Sequence, residues 1–329
     1  MSHISVLGAG AWGTALALSL AQKQEITLWS HTPAAVARMS STRRSDDYLP
    51  GFDLPESIHI TGDLHAAAAS EILLCVVPSQ HMRGTIEALR PSLRSSHILV
   101  SATKGIEQHT FLRMSEVMQQ AAGHALRLAV LSGPSFAQEV AAHMPTAITI
   151  ASSDAALALQ IQRQFSNPSL RLYTNDDVIG VELGGALKNV IALSAGVVAG
   201  LGLGANPAAA LITRGIAEIT RLAVACGGHP ETLAGLAGLG DLVLTCTGSL
   251  SRNRTVGLEL GRGRKLPEIL ESLRGKTAEG VNSTTAALGL ARRYGVEMPI
   301  TEQVAAILHH GKSPMTAIHE LMSRPGRDE

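Results

Sequence analysis

The first half of the chain alternates short apolar runs with longer alanine-rich stretches. Most of these runs are continuous in apolar residues rather than alternating, which is typical of strands covered on both faces. Strands that alternate with helices in this way predict a parallel sheet with right-handed crossovers. The candidate strands are HISVLG (3–8), EITLW (25–29), ILLCVV (72–77), HILVSA (97–102), LRLAVLS (126–132) and TAITIAS (146–152).

The pattern changes after about Asn175, where strand signals fade and helical signals continue to the end of the chain. The clearest helical stretches are VIGVELGGALKNVIALSAGVVAG (178–200) and PAAALITRGIAEITRLAVACGG (207–228). The second begins with Pro207 near its first turn and ends at Gly227–Gly228, a typical start and stop for a helix. We therefore predict an α/β domain with a parallel sheet over residues 1–177 and an all-α domain over residues 178–329.

Size and composition agree with this division. A chain of 329 residues suits two domains or one large one. Its hydrophobic fraction of 45% is ample for a packed core, and because aromatic residues make up 3%, Ala, Leu, Val and Gly must do most of the packing. The 27 acidic and 27 basic residues balance, so nothing suggests a surface for nucleic acid or for an anionic membrane.

The apolar run at 190–205 raises the question of a membrane-spanning helix. It is short for a span, which needs about 20 apolar residues, and it contains Ser194 and several glycines. A buried helix of a water-soluble protein is the favoured interpretation, without membrane insertion.

The three cysteines, Cys75, Cys226 and Cys246, are odd in number and far apart, and they show no zinc-site spacing. We expect three reduced thiols, no bound metal and a cytoplasmic location. The N-terminal MSHISVLGAG enters a strand-like run directly, so no signal peptide is expected.

The stretch SVLGAGAWGTALALSL contains Gly8, Gly10 and Gly13 in a G-x-G-x-x-G arrangement. The motif alone is a weak signal, but here it follows a strand and opens a helix, which is the context of a dinucleotide site. The first glycine permits a tight turn, the second lets the backbone approach a pyrophosphate, and the third lets helix and strand pack closely. The first domain is therefore predicted to be of the Rossmann type; the alternative is an ordinary strand–helix turn.

The second strand ends in LWSH, without the carboxylate that usually holds the ribose 2′-hydroxyl of NAD. Ser30 and His31 could hydrogen-bond a 2′-phosphate, and Arg38 or the pair Arg43–Arg44 could supply charge. We predict that NADP(H) is accepted, although His31 could equally be an ordinary surface histidine.

Two further strand ends carry polar candidates. Lys104 follows a strand in VSATKGIE, at the edge where open α/β sheets bind ligands, although a solvated loop lysine is the simpler interpretation. LSGPSFAQEV places Gly133, Ser135 and Ala137 at a sharp turn before a helix. Its N–H groups and hydroxyl could face a phosphate or a nicotinamide, and a turn with a helix cap explains it nearly as well.

The helical half contains two isolated charges. Lys188 lies in the apolar run VELGGALKNV, and Asp241 is the one carboxylate in GLAGLGDLVLTC. Because a buried Asp is rare unless it is paired, Lys188 is its candidate partner. Arg252-Asn253-Arg254 follows in a Gly/Ser loop and suits a phosphate, or is a solvated basic loop. Glu279 precedes a glycine, where capping explains it without a ligand.

These segments together resemble the bacterial type of NAD(P)-dependent glycerol-3-phosphate dehydrogenase. The resemblance spans residues 8 to about 282, and VELGGALKNV and AGLGDLVLTC followed by SRNR are its most specific parts. Ala11 departs from the family, which commonly has Ser there; a backbone contact would survive the change. The matching stretches are GAGAWGTALA, ATKG, SGPSFA, VELGGALKNVIA, AGLGDLVLTC, SRNR and AEGV.

The resemblance implies a Rossmann domain followed by an all-helical domain, with the active site between them. It implies interconversion of sn-glycerol 3-phosphate and dihydroxyacetone phosphate with NAD or NADP, in a homodimer that supplies glycerol 3-phosphate for phospholipid synthesis.

The resemblance also implies residue roles. Lys188 is similar to the catalytic proton donor and acceptor, and Gly184, Gly185 and Ala186 are interpreted as leaving room for substrate and nicotinamide. The polar residues around Lys188 are Asn189, Asp241 and Thr245. Substrate contacts are Lys104, Gly133, Ser135, Lys188, Asp241, Ser251, Arg252 and Asn253. Cofactor contacts are Gly8, Gly10, Ala11, Trp12, Gly13, His31, Lys104, Ala137, Arg252 and Glu279.

Two other hypotheses remain. A β-hydroxyacid or 6-phosphogluconate-type dehydrogenase also pairs a Rossmann domain with a helical one, but acts on a carboxylate substrate. A cofactor-binding sensor without turnover would keep GAGAWG, yet would have no reason to retain both Lys188 and Asp241.

Overall fold

The structure is a computed structural model that describes residues 3–273 and 278–326. The chain forms two compact units: Met1–Lys104 with Leu112–Glu182 make unit 1, and Gly105–Phe111 with Leu183–Glu329 make unit 2. The division falls inside one long helix, Val178–Gly200. The predicted domains 1–177 and 178–329 stay a prediction, because compact units are not the same as independently folding domains.

Unit 1 is built on a sheet that, within the described residues, has eight strands in the order β10-β9-β8-β7-β6-β1-β2-β5. A separate pair, β3 and β4, is antiparallel. The strands are β1 (Ile4–Leu7), β2 (Ile26–Trp29), β3 (Arg44–Ser45), β4 (Leu49–Asp53), β5 (Ile58–Thr61), β6 (Ile72–Cys75), β7 (Ile98–Ser101), β8 (Arg127–Ser132), β9 (Thr146–Ala151) and β10 (Leu170–Asn175).

The six predicted runs all form strands of this sheet, and most neighbours pair in parallel. The predicted parallel sheet is confirmed for most pairs, and one pair differs from it, because β8 and β9 are antiparallel. The helix between them, Ala137–Ala141, has 5 residues. Such a helix spans roughly 7.5 Å, too short to carry the chain back along a six-residue strand of roughly 20 Å.

The sequence pattern did not predict two strands of the main sheet. Strand β5 has the sequence IHIT, and β10 has LRLYTN with buried and exposed residues alternating along most of its length. Both lie at the ends of the sheet. An end strand is paired on one side and half exposed, so it lacks the continuous apolar run that marks a central strand.

Helices cover the sheet of unit 1 on both faces, and each face has its own apolar core. Helices α1 and α6 pack against each other on one face. The helices of this unit are α1 (Ala11–Leu20), α2 (Pro33–Thr42), α3 (Leu64–Ala67), α4 (Met82–Leu89), α5 (Met114–Ala122), α6 (Ala137–Ala141) and α7 (Ala155–Phe165).

After β10 the regular elements of the described residues are helical, as predicted. A π-helical turn, Leu236–Gly240, leads directly into α11. The helices are α8 (Val178–Gly200), α9 (Ala205–Ala225), α10 (Pro230–Ala234), α11 (Asp241–Thr247), α12 (Arg252–Gly261), α13 (Leu266–Ser272), α14 (Glu279–Tyr294), α15 (Pro299–His310) and α16 (Pro314–Met322).

Helix α8 is the central element of the helical part. It is long and apolar enough to cross a membrane by length and composition, but 83% of its most apolar window is buried inside the protein. Its residues Val190, Leu193 and Val197 pack with Val256 of α12 and Val304 of α15. This burial agrees with the interpretation of the apolar run as a core helix.

Candidate active site

The turn between β1 and α1 needs glycine at two of its three motif positions. Gly8 has φ +123°, and a methyl group there would lie 2.8 Å from the carbonyl oxygen of Val76. A methyl group on Gly13 would lie 1.8 Å from the carbonyl oxygen of Gly8. Gly8 therefore permits the turn and Gly13 the close packing of helix on strand, as the sequence predicted.

Gly10 differs from both neighbours, because a methyl group there would meet no atom within 4 Å among the described residues. Packing inside the protein therefore does not require glycine at this position. Helix α1 begins at Ala11, and no side chain of the described part caps it. Its first N–H groups are available to an anion, so the turn fits the pyrophosphate of a dinucleotide.

Trp12 lies in the first turn of α1, half-buried against the core. Its indole Nε1 is buried and has no hydrogen-bond partner within the described residues. A buried indole N–H usually finds an acceptor, so this group fits a site that is completed by a bound molecule.

The end of β2 holds the candidates for the adenosine ribose. His31 is exposed, and its ring centroid lies 6.4 Å from that of Trp29. Ser30 is buried, and its hydroxyl accepts a hydrogen bond from the Thr32 backbone N–H at 3.3 Å. The strand end thus presents an exposed imidazole without a carboxylate in the sequence LWSH.

The arginines predicted to bind a 2′-phosphate already form hydrogen bonds or ion pairs within the protein. Arg43 donates to backbone carbonyl groups beyond the β3–β4 pair, at 3.1 and 2.9 Å, and so holds the chain fold. Arg38 pairs with Asp47 at 2.5 Å, and Arg44 lies 3.4 Å from Asp53. These last two pairs are exposed, and an exposed pair contributes about 0–1 kcal/mol, so either arginine can exchange its partner at small cost.

Lys104, Gly133 and Ser135 meet at the carboxyl ends of β7 and β8. The Lys104 ammonium and the Ser135 hydroxyl each donate to the Gly133 carbonyl oxygen at 2.9 Å. Gly133 has φ +134°, and a methyl group there would lie 3.0 Å from the Ile148 Cα, so the turn requires glycine. Ala137 follows as the first residue of α6. The structure therefore gathers the substrate contacts predicted for unit 1 at one sheet edge.

Lys188 and Asp241 form a buried ion pair in unit 2. The Lys188 ammonium donates to the Asp241 carboxylate and, at 2.9 Å, to the Thr245 hydroxyl. Thr245 in turn donates to the Asp241 backbone oxygen at 2.6 Å. The side chains of Lys188 and Asp241 are 8% and 1% exposed, so their attraction acts with little screening by water. The predicted pairing of the two isolated charges is present.

A second polar chain begins at the next residue of α8. Asn253 donates to the Asn189 side-chain oxygen at 2.9 Å and accepts from the Gly280 backbone N–H at 2.9 Å. All three residues are buried. These hydrogen bonds tie the starts of α12 and α14 to α8, next to Lys188.

Arg252 opens α12 and is exposed. Desolvation lowers the pKa of its guanidinium and the Glu279 carboxylate raises it, so these two predicted cofactor contacts lie within electrostatic reach of each other. An arginine stays charged at any physiological pH. Ser251 caps α12, because its hydroxyl accepts from the Arg254 backbone N–H at 3.2 Å. The contact that the structure gives the Ser251 hydroxyl is therefore the helix cap.

One interpretation of α8 is wrong. Gly184 and Ala186 do not leave open space beside Lys188, because Ala186 is fully buried and a methyl group on Gly184 would lie 2.7 Å from the Ala237 carbonyl oxygen. The small residue at 184 is required by the π-helical turn that packs against it.

Glu182 and Glu218 are among the buried carboxylates that the sequence analysis did not identify. Glu182 accepts from the backbone N–H and hydroxyl of Ser115, both at 2.7 Å, and pairs with Arg113 at 2.6 Å. Glu218 caps α15 by accepting from the Ile300 and Thr301 backbone N–H groups at 2.9 Å. Burial raises the pKa of both carboxyls, and these hydrogen bonds oppose it.

Helical periodicity carried a signal for one of these carboxylates. Glu218 shares the buried face of α9 with Gly215, Ile219 and Leu222. A carboxylate on an apolar helix face indicates a long-range partner, although the partner itself cannot be named from such a pattern.

The three cysteines are not in disulfides, as expected. Burial raises the pKa of the Cys75 and Cys246 thiols to about 12. Cys246 lies on α11 one residue after Thr245, where the charge of Lys188 opposes this increase. The thiol beside the ion pair is therefore protonated at neutral pH and is not a candidate nucleophile.

Two family models and the curated relatives identify the family of this chain. Residues 3–158 match the N-terminal family model of NAD-dependent glycerol-3-phosphate dehydrogenase, and residues 177–319 match its C-terminal model. The chain is 59% identical over 338 residues to the glycerol-3-phosphate dehydrogenase (NAD(P)+) of Acidobacterium capsulatum, covering 100% of both. It is 56% identical to that of Koribacter versatilis, covering 100% of this chain and 99% of the relative.

A solved structure is also similar over nearly its whole length. The crystal structure of glycerol-3-phosphate dehydrogenase from Coxiella burnetii matches with a TM-score of 0.94 and 42% identity, covering 98% of this chain and 99% of that one.

Proposed function

The chain belongs to the NAD-dependent glycerol-3-phosphate dehydrogenase family, and from this premise we propose how its own residues carry out the reaction. It is an NAD(P)-dependent oxidoreductase that interconverts sn-glycerol 3-phosphate and dihydroxyacetone phosphate. The observation that carries the assignment of roles is the buried cluster of Lys188, Asp241 and Thr245.

Lys188 is the proton donor and acceptor. When bound, the nicotinamide supplies the hydride for the carbonyl carbon. As negative charge develops on the carbonyl oxygen, the Lys188 ammonium stabilises it and donates a proton to it. In the oxidative direction, neutral Lys188 takes the hydroxyl proton. Asp241 and Thr245 support this role, because they hold the ammonium in one orientation inside a buried environment.

The phosphate of the substrate is held away from the reacting carbon. Arg252 supplies the charge, and Asn253 is supported as its neighbour because Asn189 and Gly280 fix its amide. In unit 1, Lys104 and Ser135 are the proposed substrate contacts at the Gly133 turn. Binding a remote phosphate orients the ketone and lowers the entropic part of the barrier.

The cofactor is proposed to lie on the turn after β1. The open position at Gly10 and the uncapped start of α1 at Ala11 suit its pyrophosphate. NADP(H) is accepted as well as NAD(H), because the β2 end carries His31 and no carboxylate that would repel a 2′-phosphate. The remaining proposed contacts are Gly8, Trp12, Gly13, Lys104, Ala137, Arg252 and Glu279.

We also propose a cytoplasmic homodimer that supplies glycerol 3-phosphate for phospholipid synthesis. Family resemblance supports the dimer and the metabolic role, and reduced cysteines suit a reducing compartment. Sedimentation analysis of the purified chain tests the dimer, and a monomer at micromolar concentration would contradict it.

Substrate-dependent oxidation of NADPH tests the proposed function. Absorbance at the nicotinamide band should fall when dihydroxyacetone phosphate is added to the protein with NADPH. In the oxidative assay with NADP+, the absorbance should rise with sn-glycerol 3-phosphate and far less with 3-hydroxy acids. Equal activity with 3-hydroxy acids would favour the neighbouring dehydrogenase class. Cofactor binding without any turnover would favour a sensor.

A further inference from the structure

Helix α8 meets the segment that carries Asp241 with a constant offset. A methyl group on Gly184 would lie 2.7 Å from the Ala237 carbonyl oxygen. One helical turn later, Lys188 pairs with Asp241, which is 53 residues further along the chain. Gly184 and Ala237 are separated by the same number of residues, so the two segments run parallel in register. The backbone contact at Gly184 thus lies one turn before the ion pair.

The same helix meets α12 with a second constant offset, of 64 residues. The matched positions are Asn189 with Asn253, Leu193 with Gly257, and Val197 with Gly261. A methyl group on Gly257 would lie 1.9 Å from the Leu193 carbonyl oxygen. One turn before Gly257, Asn253 hydrogen-bonds Asn189. The close contact between α8 and α12 therefore also lies one turn from two site residues, Asn189 and Asn253.

Glycines on both helices make this second contact. Gly196 and Gly200 lie four residues apart on α8, where methyl groups would stand 2.0 Å and 2.2 Å from the carbonyl oxygens of Arg254 and Leu258. Glycine lowers helix stability relative to alanine, so its presence here is explained by the backbone contact. Small residues spaced by four let two helix backbones touch, and no flexible side chain lies between them to absorb a shift.

We propose that these two contacts are positioning elements with separate duties. The contact at Gly184 sets Asp241 against Lys188. The α8–α12 glycine contact sets Arg252 and Asn253 against Asn189. This inference rests on the proposed roles of Lys188 as proton donor and of Arg252 and Asn253 as phosphate ligands.

Alanine at either contact must move one segment away from α8, because the obstructing atom is a backbone oxygen. A displacement of about 1 Å at a catalytic group can lower a rate by about 100-fold. Displacement of the Asp241 segment disturbs the orientation of Lys188, the proposed proton donor in the transition state. It should therefore lower kcat. Displacement of α12 affects a group that binds phosphate before and during the reaction, so it should raise KM.

Gly184→Ala and Gly257→Ala, each made in the full chain, separate the two duties. Initial rates with NADPH give kcat and KM for dihydroxyacetone phosphate, and the same assay with dihydroxyacetone measures the part of the rate that needs no phosphate contact. Gly184→Ala should lower kcat by about 10- to 100-fold with KM within about twofold. Gly257→Ala should raise KM by about tenfold or more, and lower the preference for the phosphorylated substrate by the same factor.

Gly215→Ala is the matched control. Gly215 lies on α9, and a methyl group there would lie 2.6 Å from the Ile191 Cγ2 of α8. It crowds the same helix, but against a side chain and on a helix without proposed site residues. It should lower Tm while leaving kcat and KM near the wild-type values. If Gly257→Ala does not fold, Gly261→Ala repeats the test, because its methyl group would be less crowded, at 2.5 Å from the Val197 carbonyl oxygen.

The outcomes distinguish the inference from the proposed function. If both glycine variants change kcat and KM by the same factors, in proportion to their loss of Tm, the contacts are packing only and the inference is overturned. If Lys188→Ala itself keeps wild-type turnover, the proposed function fails instead, whatever the glycine variants do.

Discussion

The turn after β1 and helix α8 use glycine for opposite purposes. At Gly10 a methyl group would stand in open space, whereas at Gly196 it would lie 2.0 Å from the carbonyl oxygen of Arg254. The first glycine leaves room for a bound molecule, and the second for another helix. The polar groups differ in the same way. Unit 1 offers backbone N–H groups and side chains that are mostly half-buried, and unit 2 offers a buried ion pair.

This contrast teaches that one residue type indicates a ligand site only when the surrounding space is known. An open position such as Gly10 is compatible with a ligand because it also lies in the turn between β1 and α1, whereas a glycine whose methyl position is occupied by backbone atoms indicates packing. The same test separates the buried carboxylates. Glu218 accepts hydrogen bonds from backbone N–H groups at the start of α15, whereas Asp241 accepts from the ammonium of Lys188.

The largest effect should come from Lys188→Ala, which removes the proposed proton donor from unit 2 and leaves the residues of unit 1 unchanged. Loss of a general acid should lower kcat by about 100- to 10,000-fold, while NADPH binding, followed by its fluorescence, stays intact. Lys312→Ala, which removes an ammonium paired with Glu320, is the control and should keep kcat. Near-wild-type turnover of Lys188→Ala would sink the assignment.

Arg252→Ala should have the next largest effect. Loss of a charged hydrogen-bond donor costs about 1.5–3 kcal/mol, so KM for dihydroxyacetone phosphate should rise by about 10- to 100-fold, with a smaller change in kcat. Arg262→Ala removes an exposed arginine near the end of the same helix and should leave KM unchanged. An unchanged KM in Arg252→Ala would argue against the phosphate role.

Gly10→Ala and Gly13→Ala test the contrast within unit 1. Gly13→Ala should destabilise the fold by about 1–3 kcal/mol through overpacking, seen as a lower Tm. Gly10→Ala should keep Tm and weaken NADPH binding, because its methyl group enters space that the protein leaves open. If Gly10→Ala binds cofactor normally, the open position is not where the pyrophosphate lies.

His31→Asp sharpens the prediction about the cofactor. A carboxylate placed near a 2′-phosphate costs about 1 kcal/mol in water, so kcat/KM with NADPH should fall roughly fivefold or more relative to NADH. His59→Asp, on the neighbouring strand β5, is an exposed control. A wild-type protein with a large kinetic preference for NADH would contradict the prediction.

The smallest expected change concerns the cysteines. With a thiol pKa of about 12, Cys75 and Cys246 are protonated at pH 8, because that pH lies well below the pKa. Thiolate-specific reagents should leave both unlabelled in the folded protein and label them after denaturation, as mass spectrometry of peptides would show. Fast labelling of Cys246 in the native protein would show that its surroundings are more open.

Much of the fold followed from local pattern. Continuous apolar runs identified the six central strands, and the loss of that pattern after Asn175 identified the helical part. The end strands β5 and β10 were missed because one-sided pairing leaves a mixed pattern. The direction of β9 was missed because it depends on where a short helix returns the chain.

The candidate site was predictable to a different degree in each unit. The G-x-G-x-x-G turn acts through its own backbone, so its neighbours in sequence are its neighbours in space. Lys188 and Asp241 stood out because a single charge in an apolar run needs a partner. The role of Gly184 was misinterpreted, because the backbone that fills its space comes from Ala237.

By itself, then, the sequence determined the strand–helix alternation, the glycine turn and the identity of the isolated charges, since each of these depends on residues close together in the chain. The tertiary structure decided the antiparallel β9, the capping of α15 by Glu218, and the registers of 53 and 64 residues that α8 makes with its two neighbours. Those features depend on contacts between segments far apart in the chain, whose registers no local periodicity encodes.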